Sequence, residues 1–362
     1  MSKRHLSVCA LSLALVLLLC ACGDTPASSG PDESAVSTLA PTDILPPPEP
    51  VVLYTNPLTG EATETDISQN RPVAIMLNNL KKALPQHGVA EADMIYEVCA
   101  EGGITRMMAV FQSVEGVGDL GSVRSSRPYY VELAAGLDAI YIHAGGSNGA
   151  YEAIRDHGVF NIDGVNGPYG GTMFWRDAQR RKTAGFEHSL FTSDSRISDL
   201  LSGALAAKRQ THEEGYSLPL TFAQDGTPAD GQTANTVRVK FSNNKTGVFT
   251  YDAAQGAYLV SQHGAPYVDG NTDEQVAVTN VLVVMTDISV IPKDKEGRLD
   301  VDLVGSGSGY FVCGGKYVPI TWSKASATAP LTYATADGQP LSLGVGSSYI
   351  NIIDRDDPVT FE

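Results

Sequence analysis

The chain has 362 residues, and at roughly 100–200 residues per domain that length implies two domains with connecting segments. Hydrophobic residues make up 43% and charged residues 18%, too apolar and varied a composition for a wholly disordered or collagen-like chain. Lys and Arg number 25 against 41 Asp and Glu, a formal charge of -16. That balance disfavours sequence-independent binding to nucleic acid and charge-driven adsorption to anionic lipid; only a local basic patch would override it.

At the amino end, Lys3 and Arg4 precede an uncharged apolar run over 6–19. It is shorter than the roughly 20 residues of a membrane span and has the form of a secretory signal. The run closes in Leu19-Cys20-Ala21-Cys22, which resembles the lipobox of bacterial lipoproteins, with a small residue just before Cys22. Residues 1–21 are thus expected to be a lipoprotein signal peptide and Cys22 the lipidated anchor. Two acyl chains would be needed there, since one gives only marginal membrane binding. Residues 22–53 are rich in Pro, Ser, Ala and Thr. They are expected to form a disordered stalk, because such a composition cannot offset its ordering entropy. Beyond the anchor only Cys99 and Cys313 remain. Without CxxC or zinc-ligand spacing they read as two unpaired thiols, and no metal or cofactor is expected.

From residue 54 onward the pattern becomes that of folded domains. Residues 72–78 read as a buried strand, and 94–100 and 104–112 as two more joined by a Gly102-Gly103 hairpin turn. Arg127-Pro128 opens a helix through Ala135, with Ser126 as N-cap. A strand over 138–143 and a short helix over 150–156 follow. Residues 54–222 therefore read as an amino-terminal α+β (or α/β) domain with a mixed sheet. A polar stretch at 223–234 marks a boundary. Residues 236–241 alternate with period two, Asp252 to Gly256 read as a hairpin loop, and further strands fall at 281–285, 310–313, 320–322 and 349–352. Residues 235–354 are thus expected to be a β-rich carboxyl-terminal domain.

Several motifs carry candidate chemistry. Gly145-Gly-Ser-Asn-Gly149 has the G-x-S-x-G form between a strand and a helix. Ser147 would be its nucleophile, His188 the base and Asp163 or Asp177 the acid; the plainer reading is a βα turn with Asn148 capping the helix. Gly305 to Gly309 lacks the P-loop Lys and leads into a strand, so it reads as a flexible turn. Asp269-Gly-Asn-Thr-Asp273 lacks the calcium-loop Gly and Glu and reads as a surface turn. With a Gly102-Gly103 turn, Cys99 would face Arg106, and Glu97 and Glu101 would share its face. Glu97 and Glu101 would then lie about 13 Å apart at ~3.3 Å per residue, beyond the ~5–9.5 Å of a glycosidase acid pair. Arg124 and Arg127 stand at a helix start, where cations oppose the dipole and need carboxylates or an anionic ligand.

Arg71 to Asn79, Glu91 to Glu97, Glu101 to Arg106, Gly121 to Arg127, Tyr141 to Ser147 and Phe174-Trp-Arg176 resemble, in that order, the YerB-like lipoproteins. So do Tyr251-Asp252, Asn280-Val281, Leu303 to Gly309 and Thr321-Trp322 further on. The resemblance implies a two-domain extracytoplasmic lipoprotein, typical of Gram-positive bacteria, and brings no catalytic residue to these positions. The expectation is a protein anchored to the membrane through Cys22, on the extracytoplasmic face, with no nucleic-acid partner. It would bind an envelope glycan, peptide or protein through Glu97, Glu101, Arg106, Arg124, Arg127, His143 and Trp175. The alternative is an envelope hydrolase or transferase using Glu97/Glu101, or Ser147 with His143/His188. A deep pocket joining a histidine to the acids would mark the enzyme; paired charges would mark the binding protein.

Overall fold

The computed structural model describes residues 53–362; the expected signal peptide, Cys22 and all but the last residue of the stalk lie outside them. Long runs of Val, Ile, Met and Leu form strands buried on both faces, as in Val73–Asn78 and Met94–Cys99. They belong to a mixed sheet of eleven strands. Its order is Gln232–Thr233, Lys316–Lys324, Gly305–Cys313, Asn280–Thr286, Ser348–Asp354, Met94–Cys99, Thr105–Phe111, Val73–Asn78, Ile140–His143 and Asn161–Asp163, with Thr332–Thr335 also pairing to Lys316–Lys324. The Ser348–Asp354 strand runs parallel both to Asn280–Thr286 and to Met94–Cys99. Strands from the two ends of the chain therefore meet at the middle of one sheet.

One face of this sheet is covered by a six-stranded sheet that includes Thr236–Ser242, Lys245–Asp252 and Ala257–Gln262. Val237, Val239, Phe241 and Phe249 share a buried cluster with Ile75, Leu77, Ile95 and Met107. The opposite face packs Tyr129, Tyr130 and Leu133 of the helix Pro128–Gly136 against Met76, Tyr96, Met108 and Ile350. Pro128 suits the first helical turn because its missing N–H would be unpaired there anyway. The N-cap is Arg127 rather than Ser126, and its side chain makes no capping bond.

The hairpin register and the reading of Gly305 to Gly309 are corrected. In the hairpin the turn spans one residue more than Gly102-Gly103 requires, with Ala100 N–H donating to Ile104 O at 2.8 Å. Cys99 consequently pairs with Thr105, Glu97 with Met107 and Val98 with Arg106. A slip of one residue moves every side chain to the other face, so Arg106 stands on the face opposite Glu97. Gly305 to Gly309 is not a flexible turn: it is the first half of the strand Gly305–Cys313. A Cβ on Gly309 would meet Val283 O at 2.0 Å, so the glycine is what lets the neighbouring strand approach. The segment from Asp269 is a surface turn, exposed over 271–274, but Asp269 itself turns inward. It is 1% exposed and accepts from the N–H groups of Val89 and Ala90, at 2.5 and 3.0 Å, stapling this loop to a distant segment. The polar stretch at 223–234 is held at both ends, by Thr221–Ala223 pairing with Ser342–Gly344 and by Gln232–Thr233 pairing with Lys316–Lys324.

Candidate functional site

The expected polar face separates into distinct environments. Glu97 points between the two sheets, where it is 1% exposed. Its Oε1 accepts from Lys245 Nζ at 3.0 Å, from Asn79 Nδ2 at 2.7 Å and from the Thr105 hydroxyl, and its Oε2 accepts from the Tyr349 hydroxyl. Lys245 is equally buried and also donates to Gln262 Oε1. Alternation along the strand Lys245–Asp252 turns Lys245 inward, opposite a carboxylate it neutralises.

Glu101 lies in the hairpin turn and receives two guanidinium groups. Arg106 donates to its Oε1 at 2.8 Å, and Arg127 donates to both carboxylate oxygens, at 3.0 Å to Oε2. Burial alone would raise the Glu101 pKa, but Arg106 and Arg127 outweigh it and hold it down at about 2. Arg106 also donates to Ser125 O at 2.9 Å, and Arg127 to Ser126 O at 2.7 Å, while the buried Arg106 Nε has no partner. The expected closeness of Arg106 and Arg127 to Glu101 is present. Arg124 stands apart: it bonds the carboxylate of Glu187, an exposed residue, at 3.2 Å.

The hydrolase constellation does not assemble. Ser147 is itself the N-cap of the helix Asn148–Asp156, its hydroxyl accepting from Ala150 N–H at 3.2 Å, so the cap is one residue earlier than Asn148. Asp163 accepts from the N–H groups of Gly145 and Val165 and from the Tyr151 hydroxyl. Asp177 caps the helix Ala178–Thr183. His188 pairs through Nδ1 with Asn78 at 2.7 Å, and burial followed by the charge of Arg124 pushes its pKa down. His143 is fully buried, with Nδ1 against Gly145 O at 2.9 Å and Nε2 against Asn161 Oδ1 at 3.1 Å. Cys99 and Cys313 are free and buried. Burial pushes their thiols up to about 12 and about 11, far from a reactive thiolate.

Trp175 leads to a surface that the motif reading passed over. It is half-buried, beside Phe191, with the Arg196 guanidinium 4.7 Å from its ring centroid. Next to it, Arg176 lies 3.5 Å and Arg181 5.3 Å from the centroid of Phe186, which is 56% exposed. Arg180 reaches across to Ala83 O at 2.6 Å and to Pro85 O, tying the helix Ala178–Thr183 to the turn Lys81–Ala83. A side chain on Gly185 would come within 3.9 Å of Lys82 Nζ. The sequence signal for this face is the run Arg180-Arg181-Lys182 beside Arg176, in a chain of net charge -16. Lys245 and Tyr349 left no such signal, because their partner is distant in sequence.

Fold and site together describe a strand-rich, two-domain protein whose buried charged groups are held by polar or charged partners. The chain belongs to the family described as protein of unknown function DUF3048. Its amino-terminal domain model matches residues 58–209 and its carboxyl-terminal domain model residues 237–350. The chain is 33% identical over 306 residues to YerB of Bacillus subtilis (strain 168), which is named as a lipoprotein; the match covers 82% of this chain and 85% of that one. The crystal structure of the YerB protein from Bacillus subtilis matches with a TM-score of 0.73 at 30% identity, covering 85% of this chain and 99% of that chain. The YerB-like resemblance read from the motifs is thereby established. Among the described residues no helix is long and apolar enough to cross a membrane.

Proposed function

We propose that this is a lipid-anchored protein of the extracytoplasmic membrane face that binds an envelope polymer or protein and carries out no covalent step. The anchor is Cys22, supported by the lipobox-like Leu19-Cys20-Ala21-Cys22 and by the lipoprotein name of the Bacillus subtilis relative. The observation that carries the binding reading is the pairing of the candidate catalytic groups. The carboxylates of Glu97 and Glu101 are each held by cations, and the Ser147 hydroxyl caps a helix. His143 and His188 each hold a ring nitrogen against a neighbour's polar atom. A general base needs a free acceptor within reach of its substrate, and these groups are committed elsewhere. Of the expected binding residues, Arg124 and Trp175 belong to the accessible surface, while Glu97 and His143 serve the interior.

Two measurements test this. Metabolic labelling with a fatty-acid probe should mark the wild-type chain and leave Cys22→Ala unlabelled and released from membranes; label on the variant contradicts the anchor. Purified protein mixed with envelope material should be retained with no new product by mass spectrometry. Turnover lost in Ser147→Ala or Glu101→Gln would assign an enzyme instead.

A further inference from the structure

We infer that the face formed by the helix Ala178–Thr183, the segment up to His188 and the turn Lys81–Ala83 is a docking surface for an anionic polymer of phosphodiester-linked units. This rests on the binding reading above and names the chemistry of the partner. Arg176, Arg180, Arg181 and Lys182 come from one short stretch, Lys81 and Lys82 from a second, and Arg124 borders them. Two of these cations are already committed, Arg124 to the Glu187 carboxylate and Arg180 to the carbonyls of Ala83 and Pro85, and Asp177 caps its helix. Among the described residues no carboxylate lies within ion-pair distance of Arg176, Arg181, Lys81, Lys82 or Lys182. Lys81, Lys82, Arg181 and Lys182 are exposed cations without a carboxylate partner, drawn from two segments of a chain whose net charge is -16.

The form of the face indicates which anion. Phe186 is exposed, yet two guanidinium groups, Arg176 and Arg181, lie over its ring. Arg176 also donates through Nη1 to Phe186 O at 2.7 Å, so the ring holds both arginines in place while the Arg181 fork and the remaining edge of Arg176 face oxyanions. Fixing the forks beforehand lowers the ordering cost of binding. A guanidinium fork matches the two non-bridging oxygens of a phosphodiester. The exposed cations Lys81, Lys82, Arg181 and Lys182 come from two segments, which suits an extended ligand lying across them.

The test compares the full chain with Lys82→Ser/Arg181→Ser/Lys182→Ser, all three exposed positions, both in a Cys22→Ser background so that acyl chains drop out. The probe is purified poly(glycerol phosphate). The wild-type surface should bind it with an affinity that falls as salt rises, and the triple variant should bind at least about tenfold more weakly at an unchanged melting temperature. Retention on whole envelope material without affinity for poly(glycerol phosphate) would overturn this assignment and leave the binding function standing; loss of both would end both. A larger loss on phosphatidylglycerol vesicles or poly-glutamate than on poly(glycerol phosphate) also overturns it.

Discussion

Glu97 and Lys245 place opposite charges between two sheets, each almost wholly excluded from water. Removing one partner strands the other, which typically costs about 3–5 kcal/mol, whereas removing both charges together can be nearly neutral. Lys245→Met should therefore destabilise by that amount in urea denaturation, and Glu97→Gln added to it should recover most of the loss. A shift under about 1 kcal/mol for Lys245→Met would mean that the carboxylate is held well enough by Asn79, Thr105 and Tyr349 alone. Arg124 behaves differently because its partner Glu187 is exposed, and Arg124→Ala should change stability by about 1 kcal/mol or less. Glu101 provides a pH-dependent contribution. Its pKa in the folded chain is about 2 against the ordinary 4.5, so its stabilisation is complete above 4.5 and is lost as pH falls towards 2. Glu101→Gln should flatten the acid limb of a melting-temperature profile across that window; an unaltered limb would show that other carboxylates carry it.

Among the elements, the strand Gly305–Cys313 and the hairpin around Gly102 use glycine for different reasons. Gly102 and Gly103 adopt φ of 74° and 71°, a conformation that glycine enters freely and other residues enter at a cost of roughly 1–2 kcal/mol. That turn fixes the register and therefore the separation of Arg106 from Glu97. Gly309 has no room for a side chain, since a Cβ would stand 2.0 Å from Val283 O. Gly309→Ala should destabilise by on the order of 3 kcal/mol. The exposed neighbour Ser308 should accept Ala within about 0.5 kcal/mol. Comparable midpoints for the two variants in chemical denaturation would refute the close-approach argument.

At the scale of the molecule, the strand Ser348–Asp354 binds the two family domains into one sheet. It pairs with Met94–Cys99 on one side and Asn280–Thr286 on the other, and Lys245 supplies the counter-charge for Glu97 across the sheets. A fragment of residues 54–222 would lack both and would leave an apolar strand edge open. It should be aggregated or lack fixed tertiary structure by near-ultraviolet circular dichroism, and the intact chain should melt in a single calorimetric transition. Two separated transitions, or a soluble, well-dispersed fragment, would show that the domains fold independently.

Local pattern was enough for the family, the buried strands at 73–78 and 94–99, the alternation over 236–242 and the helix opening at Pro128. Each of these depends on side-chain periodicity or on a residue whose backbone preference acts within a few positions. The pairing of Arg106 and Arg127 with Glu101 was legible for the same reason, being anchored by a turn and a helix start. The face on which Arg106 lies depended on one extra residue in that turn, which composition does not reveal. The counter-charge for Glu97 and the burial of Asp269 each join segments far apart in the chain. Only the stacking of one sheet on another brings such groups within hydrogen-bond reach, and the low dielectric of that interior makes each pairing obligatory once the sheets have closed.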